Sequence, residues 1–150
     1  MKAIIYYSLS GKTDRKVKAL FEGDFYRLKG KIKIPKTYWI QLLYLGFFAS
    51  FNAKLKYQPL DIDFDRYDEV VLASPVWAFT TIPFIKKFLK QHRFKNKKVT
   101  LLITHEGGPG KALEGLKRRI DKSNEIIQEY SFKFSGRYDK NDGEYIRKKS

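Results

Sequence analysis

The sequence AIIYYSLSGKT, from Ala3 to Thr13, decides the fold. Its apolar part, Ala3–Tyr7, has no polar alternation, which is typical of a strand that is covered on both faces of a parallel sheet. Its polar part, Ser8–Thr13, places hydroxyl groups, one glycine and one lysine just before a segment with helical spacing. Backbone N–H groups at a helix N-terminus point outward and attract anions. The stretch therefore predicts a phosphate-binding turn between a buried strand and a helix.

Helix and strand patterns continue to alternate after this turn. Apolar residues at i, i+3 and i+4 predict a helix from Thr13 to about Glu22, and Phe25–Lys29 alternates like a short edge strand. Thr37–Phe51 predicts a helix that is apolar almost all round. It could pack in the core, against another subunit or in a substrate pocket. Asn52–Asp68 predicts a polar link.

The second half of the chain repeats the alternation. Buried strands are predicted at Asp68–Ala73 and Val99–Ile103, and a last strand at Ile126–Phe134, followed by a short basic tail. Pro83 suits the first turn of a helix, and helical spacing resumes between Ala112 and Ile120. The pattern predicts one α/β domain over residues 1–150, with a mainly parallel sheet and helices on both faces.

Three segments of unusual composition follow predicted strands. They are Ser8–Thr13, Ser74–Pro83 and Thr104–Gly110. In open α/β sheets, ligands bind beyond the carboxyl ends of the strands. We therefore expect these three loops to converge on one binding crevice.

At these three loops the sequence resembles the flavodoxin family. Tyr7–Thr13 is similar to the family's phosphate loop, Ser-x-Thr-Gly-x-Thr, and Ser74–Ala78 resembles the loop that lays a tryptophan against the flavin ring. Thr104–Gly110, followed by Lys111–Leu113, resembles the third flavin loop and its helix. The resemblance covers most of the chain from Met1 to Ile120, in the family's order. It implies a flavodoxin-like three-layer sandwich, a five-stranded parallel sheet in the order 2-1-3-4-5, and non-covalent FMN.

The resemblance also implies which residues bind the cofactor. Hydroxyls and backbone amides of the first loop would hold the phosphate, and Trp77 would stack on the ring. A solvated Lys12 and a core Trp77 are the alternatives. Main-chain donors of the third loop would line the pyrimidine edge of the flavin. The full set is Ser8, Ser10, Gly11, Lys12, Thr13, Pro75, Val76, Trp77, Ala78, Phe79, Thr104, His105, Glu106, Gly107 and Gly108.

The sequence departs from the family at Phe79. Flavodoxins commonly have glycine after the aromatic pair, and glycine permits a peptide flip that supports the one-electron reduced flavin. A phenylalanine at this position makes that support less certain. It could instead give the ring a second aromatic neighbour.

The charge of the chain is the second departure. The sequence has 31 Lys and Arg against 16 Asp and Glu, a formal charge of +15, whereas flavodoxins usually present an acidic surface. Such a balance favours an acidic redox partner protein or small-molecule acceptor. A lysine-rich solvated surface without a dedicated partner is the simpler alternative. Because no long basic block occurs, nucleic acid is not expected as a partner.

Composition excludes several kinds of site. The chain has no cysteine, which rules out disulfides, thiolate metal sites and a cysteine nucleophile. The aspartates at 61, 63 and 65 lack the glycine and terminal glutamate of a calcium loop, and neither histidine has a visible catalytic partner. No signal peptide is apparent, and the longest apolar stretch, Trp39–Phe51, falls short of the roughly 20 residues that span a bilayer. We expect a soluble, cytoplasmic protein without catalytic or metal-ligating side chains of its own.

Three functional classes stay open at this stage. The first is a flavodoxin-like FMN protein that carries electrons or reduces a small acceptor. The second is an NAD(P)H-dependent FMN quinone reductase, and the third is a flavodoxin-fold binding module that has lost FMN. The apolar Trp39–Phe51 segment and the short C-terminal end also suggest a homodimer.

Overall fold

The computed structural model describes residues 1–8, 11–29, 58–77, 80–105, 108–133 and 144–148, with the backbone alone at 77, 80, 81 and 144–148. Within these ranges the elements run in the following order. The strands are β1 (Lys2–Tyr7), β2 (Asp24–Leu28), β3 (Glu69–Trp77), β4 (Thr80–Thr81), β5 (Lys98–His105), β6 (Glu125–Lys133) and β7 (Glu144–Lys148); the helices are α1 (Lys12–Leu20), α2 (Pro83–Gln91) and α3 (Ala112–Arg119), with a 3₁₀ turn at Phe64–Arg66. The predicted helix Thr37–Phe51 lies outside the described residues, and so does the apolar segment behind the homodimer hypothesis.

One sheet organises the described part of the chain, in the order β2-β1-β3-β5-β6-β7. The first five of these strands pair in parallel, and β7 pairs antiparallel with β6. Counted along the chain, the parallel strands therefore stand in the order 2-1-3-4-5, which confirms the predicted flavodoxin-like α/β fold. None of the helices in the described ranges combines the length and apolar character that crossing a membrane requires.

The strands extend further than the apolar runs that predicted them. β3 continues through Ser74 to Trp77, because Ser74 and Pro75 pair with Ile103 and Thr104 of β5. The segment predicted as the second loop therefore begins as strand, and β4 folds back antiparallel against the end of β3. Sheet pairing at the carboxyl edge overrides the low strand propensity of Ser74 and Pro75.

The predicted basic tail contains a strand. Glu144–Lys148 lies antiparallel to β6, with Tyr145 opposite Phe132 and Lys148 opposite Glu129. The tail supplies two strand-forming residues, Tyr145 and Ile146, to the outer side of β6. The last parallel strand therefore has a partner on both sides.

The core lies on both faces of the sheet. Successive residues of a strand point to opposite faces, so Ile4 packs with Val17 of α1, whereas Ile5 packs on the side of α2 and α3. α2 contributes four fully or almost fully buried side chains, Phe84, Ile85, Phe88 and Leu89. Its first residue is Pro83, whose missing N–H has no partner in a first helical turn anyway.

The α2 side of the core reaches the end of β1. The Phe84 ring stacks on Tyr7, with centroids 5.0 Å apart and planes inclined by 21°. We expect Phe84→Ala to lower the free energy of unfolding by about 3–5 kcal/mol, because Phe84 is completely buried and its removal leaves a cavity. Urea denaturation followed by circular dichroism measures this loss.

Phe25→Ala is the matched control, since Phe25 is 38% exposed and its main ring contact is the edge of Tyr6. Its expected cost is about 1 kcal/mol. Equal losses in the two variants would contradict the placement of Phe84 in the core.

Candidate functional site

The parallel register brings the ends of β1, β3 and β5 to one edge of the sheet. Tyr6 pairs with Ala73, and Ala73 pairs with Leu102. The residues that follow the three strands therefore begin at similar positions along the strand direction. A hydrogen bond of 2.8 Å joins Thr13 Oγ1 to Thr104 Oγ1 in a buried position. The first and third predicted loops therefore meet above β3.

Ser8 organises the turn between β1 and α1. Its Oγ accepts hydrogen bonds from the N–H groups of Gly11, at 3.1 Å, and Asp14, at 3.2 Å. A serine hydroxyl has two acceptor lone pairs and one donor, so these two bonds use its acceptor capacity and leave the O–H to donate. The turn thus leaves the Ser8 O–H as a neutral donor at the carboxyl edge, while the Asp14 amide in the first turn of α1 is already bonded to Ser8.

Gly11 gives the turn its shape. It has φ +87°, in the left-handed region that costs other L-residues roughly 1–2 kcal/mol. Among the described residues, a Cβ built on Gly11 would find no atom within 4 Å outside its chain neighbours. The backbone of the turn is therefore open on this side, with room for a ligand beside the start of α1.

Two lysines of α1 are buried near this turn. Lys12, the first residue of the helix, is only 9% exposed, which excludes the alternative of a fully solvated side chain. Lys16 is 8% exposed, and its Nζ lies 4.5 Å from the centre of the Phe132 ring, in cation–π contact. The α1 face of the sheet thus carries positive charge close to the helix N-terminus.

Four residues that the sequence did not single out support the turn. Tyr6 donates a hydrogen bond of 2.5 Å to Asp14 Oδ1, and Lys18 forms an ion pair with the same carboxylate. Arg27 of β2 donates from Nη2 to the backbone carbonyl of Ser8 at 3.0 Å. Side chains alternate between the two faces of a strand, so Tyr6 lies on the same face as Ile4, the face that α1 covers. This alternation is the sequence feature from which the position of Tyr6 can be predicted.

The bond between Tyr6 and Asp14 affects both groups. Burial, reinforced by the bond to the carboxylate, raises the pKa of Tyr6 to about 12, from an ordinary value of 10.0. The hydrogen bond from Tyr6, followed by the bond from Lys18, lowers the pKa of Asp14. Both shifts favour a neutral phenol beside an ionised carboxylate over the neutral pH range.

We therefore expect the cost of Tyr6→Phe to depend on pH. Because hydrogen bonds to charged groups contribute about 1.5–3 kcal/mol, the variant should lose about that much unfolding free energy between pH 5 and pH 9. The loss should shrink above pH 10, where the unfolded tyrosine ionises before the folded one, and below the ordinary Asp pKa of 3.8, where the carboxylate is protonated. Urea midpoints across the pH range measure it.

Asp14→Asn provides the control background. In that background, the cost of Tyr6→Phe in unfolding free energy should not fall at acid pH, because no carboxylate is left to protonate. A pH-independent cost in the original background would contradict the role of Asp14.

The third loop begins as strand. Thr104 and His105 end β5, where they pair with Phe132 and Lys133 of β6. His105 is 6% exposed, and its Nε2 lies 2.9 Å from Ser131 Oγ on the neighbouring strand. Its side chain is therefore held against β6, and a contribution to the crevice would come from the main chain. Beyond the strand, Gly108 has φ +133°, and Glu106 and Gly107 lie outside the described residues.

The second loop is described only in part. Pro75 and Val76 continue β3 and are half-buried, and the backbone of Trp77 pairs with Thr80 at the start of β4. Ala78 and Phe79 lie outside the described residues, as does Ser10 of the first loop. The stacking of Trp77 on a ring, and the place of Phe79 beside it, stay predictions.

The bond between Thr13 and Thr104 can be tested with valine. Thr13→Val and Thr104→Val should each cost about 1–3 kcal/mol of unfolding free energy, because each leaves the other buried hydroxyl without its partner. The double variant should cost clearly less than the sum, since no unpaired hydroxyl remains. Chemical denaturation of all four proteins gives the coupling energy. Additive losses would show that the two hydroxyls do not interact.

Comparison with solved structures reveals the same fold in bacterial flavoproteins. A Lactobacillus acidophilus NCFM flavoprotein in complex with FMN is 21% identical at a TM-score of 0.66, covering 88% of this chain and 91% of its own. A candidate flavoprotein from Bacteroides eggerthii DSM 20697 is 20% identical at a TM-score of 0.71, covering 89% of this chain and 87% of its own. The apo form of the Lactobacillus protein, solved by NMR, is 22% identical at 0.59, covering 88% of this chain and 90% of its own. No protein-family model and no curated relative matches the sequence.

Proposed function

We propose that this protein binds FMN without a covalent bond at the carboxyl edge of its sheet. In this proposal, the cofactor serves to carry electrons or to reduce a small acceptor. The fold is that of structures that include a flavoprotein in complex with FMN. The single observation that carries the proposal is the Thr13–Thr104 hydrogen bond, which joins the first and third loops over the end of β3.

The phosphate would lie in the turn before α1. The open side of Gly11 leaves room for it, and the positive end of the α1 dipole favours an anion. Ser8 can donate its O–H, and Lys12 brings a cation to the first turn of the helix. In this proposal Thr13 contributes through its hydrogen bond to Thr104, which holds the first loop against the third.

The chemistry would come from the cofactor. FMN, when bound, supplies reversible uptake and release of electrons, whereas the protein orients it and limits access to it. Trp77 and the residues after it, at the end of β3, would cover the ring. The charge of +15 favours an acidic partner protein or an anionic acceptor. A basic partner would instead suit an electron carrier with an acidic surface.

Titration with FMN and with riboflavin tests the proposal. FMN should bind saturably, with quenched flavin fluorescence, and should raise the melting temperature in proportion to its concentration relative to Kd. Riboflavin, which lacks the phosphate, should bind at least about tenfold more weakly, because the charged contacts at the turn are absent. A colourless protein with no FMN-dependent stabilisation would instead support the binding module that has lost FMN.

A matched pair of variants at Gly11 locates the phosphate. Asp and Asn have the same size, and both are favourable N-cap residues that tolerate the left-handed region. Only Gly11→Asp adds a negative charge to the open side of the turn. We expect its Kd for FMN to be at least about tenfold higher than that of Gly11→Asn, since like charges repel at short range.

Riboflavin is the control ligand for this pair, and its affinity should be equal in the two variants. Equal FMN affinities would place the phosphate elsewhere. Once FMN binding is established, oxidation of NAD(P)H in the presence of a quinone would separate a reductase from an electron carrier.

A further inference from the structure

A broad groove runs between α2 and α3, on the face of the sheet opposite α1. It encloses about 1130 Å³ and follows α2 toward the amino edge, where both helices end. Its lining consists of Pro83, Lys86, Lys87, Leu89, Lys90, Gln91, His92, Arg93, Phe94, Arg118, Arg119, Ile120, Asp121 and Lys122. This volume exceeds the range of about 300–1,000 Å³ that is usual for small-molecule pockets. The groove is therefore large enough for a segment of a macromolecule as well as for a small molecule.

The charge of this groove is predominantly positive. Seven of the described lining residues are lysine or arginine, and Asp121 is the acidic one among them. Asp121 Oδ1 accepts a hydrogen bond of 2.9 Å from the N–H of Ser123, which engages this carboxylate in its own turn. The cations form two rows, one along α2 and one at the end of α3. An anionic chain lying between the helices would meet both rows.

The helix dipole accounts for part of this charge. Positive side chains in the last turn of a helix interact favourably with its dipole. This interaction explains the positions of Lys90, Arg118 and Arg119. Lys86 and Lys87 lie in the middle of α2, where that effect has faded. Arg119 donates from Nη1 to the carbonyl of Gly115 at 2.9 Å, which holds its guanidinium in place.

Like charges are crowded in this groove. Burial lowers the pKa of Lys86, and the nearby charge of Arg119 lowers it further. Burial and the charge of Arg118 lower the pKa of Arg119 in the same way. Both shifts mean that keeping these two groups protonated costs free energy. An anion bound between them would offset that cost.

We propose that the groove between α2 and α3 docks an acidic polypeptide segment. The lysines and arginines would pair with its carboxylates, whereas Leu89, Phe94 and Ile120 of the lining are buried in the core beneath them. Binding of single-stranded nucleic acid relies on aromatic rings on which bases stack. The rings in this lining are engaged within the protein, since His92 stacks on Phe88 at 4.6 Å and Phe94 packs against Phe64 at 5.1 Å. A polypeptide therefore fits the groove better than a nucleic acid.

Fluorescence anisotropy with a labelled peptide tests this proposal. The probe is a peptide of alternating glutamate and serine, compared with the same peptide carrying glutamine for glutamate, and with a single-stranded oligonucleotide of equal charge. The full-length protein should bind the acidic peptide saturably. Its Kd should rise with salt, because paired surface charges are screened.

Two triple variants with the same charge change locate the site. Lys90→Gln/Arg93→Gln/Arg118→Gln removes three exposed cations from the groove, whereas Lys29→Gln/Lys111→Gln/Lys133→Gln removes three exposed lysines that do not line it. The groove variant should raise Kd for the acidic peptide about tenfold, and the control about twofold or less. Melting temperatures verify that both variants are folded.

Each of the other outcomes overturns the proposal. Equal weakening by the two triple variants would mean a general charge effect, and equal binding of the glutamine peptide would mean that the carboxylates are not recognised. Tighter binding of the oligonucleotide would replace the polypeptide with a nucleic acid. The test does not depend on FMN, because none of its measurements requires the cofactor.

Discussion

Parallel pairing of β1, β3 and β5 is the constraint on which the rest of this protein depends. These strands are apolar because helices cover both faces of the sheet, and their backbone groups are satisfied by one another. Parallel strands end at a common edge, so polar residues that follow them in the sequence come together in space. The Thr13–Thr104 hydrogen bond is a direct result of this arrangement, since it joins residues 91 positions apart.

The general fold follows from the sequence because its signals are local. The apolar run Ala3–Tyr7, the helical spacing before Gly23 and the position of Pro83 each specify one element, and the resemblance at the loops supplies the strand order. Other features depend on partners distant in the chain. Pairing with β5 extends β3 to Pro75, and pairing with β4 extends it to Trp77. Pairing with β6 makes a strand of Glu144–Lys148, although neither segment shows this in its own pattern.

The candidate site also contains some residues that the local sequence predicts and others that depend on distant partners. Ser8 and Gly11 are identifiable in the sequence because a hydroxyl and a glycine at the start of a helix have a known physical role. The bond from Tyr6 to Asp14 and the bond from Arg27 to Ser8 require knowledge of which strands are neighbours and which face each side chain takes. The groove between α2 and α3 is still harder to predict, because it combines residues from two helices and the loops that follow them.

The antiparallel strand β7 has a consequence for how copies of this chain can associate. It is the outermost described strand beyond β6, and its sequence, EYIRK, includes Glu144, Arg147 and Lys148. Charged residues on an outer strand oppose the addition of a strand from another molecule. Growth of the sheet across this edge, whether into a continuous dimer sheet or into a filament, is therefore disfavoured.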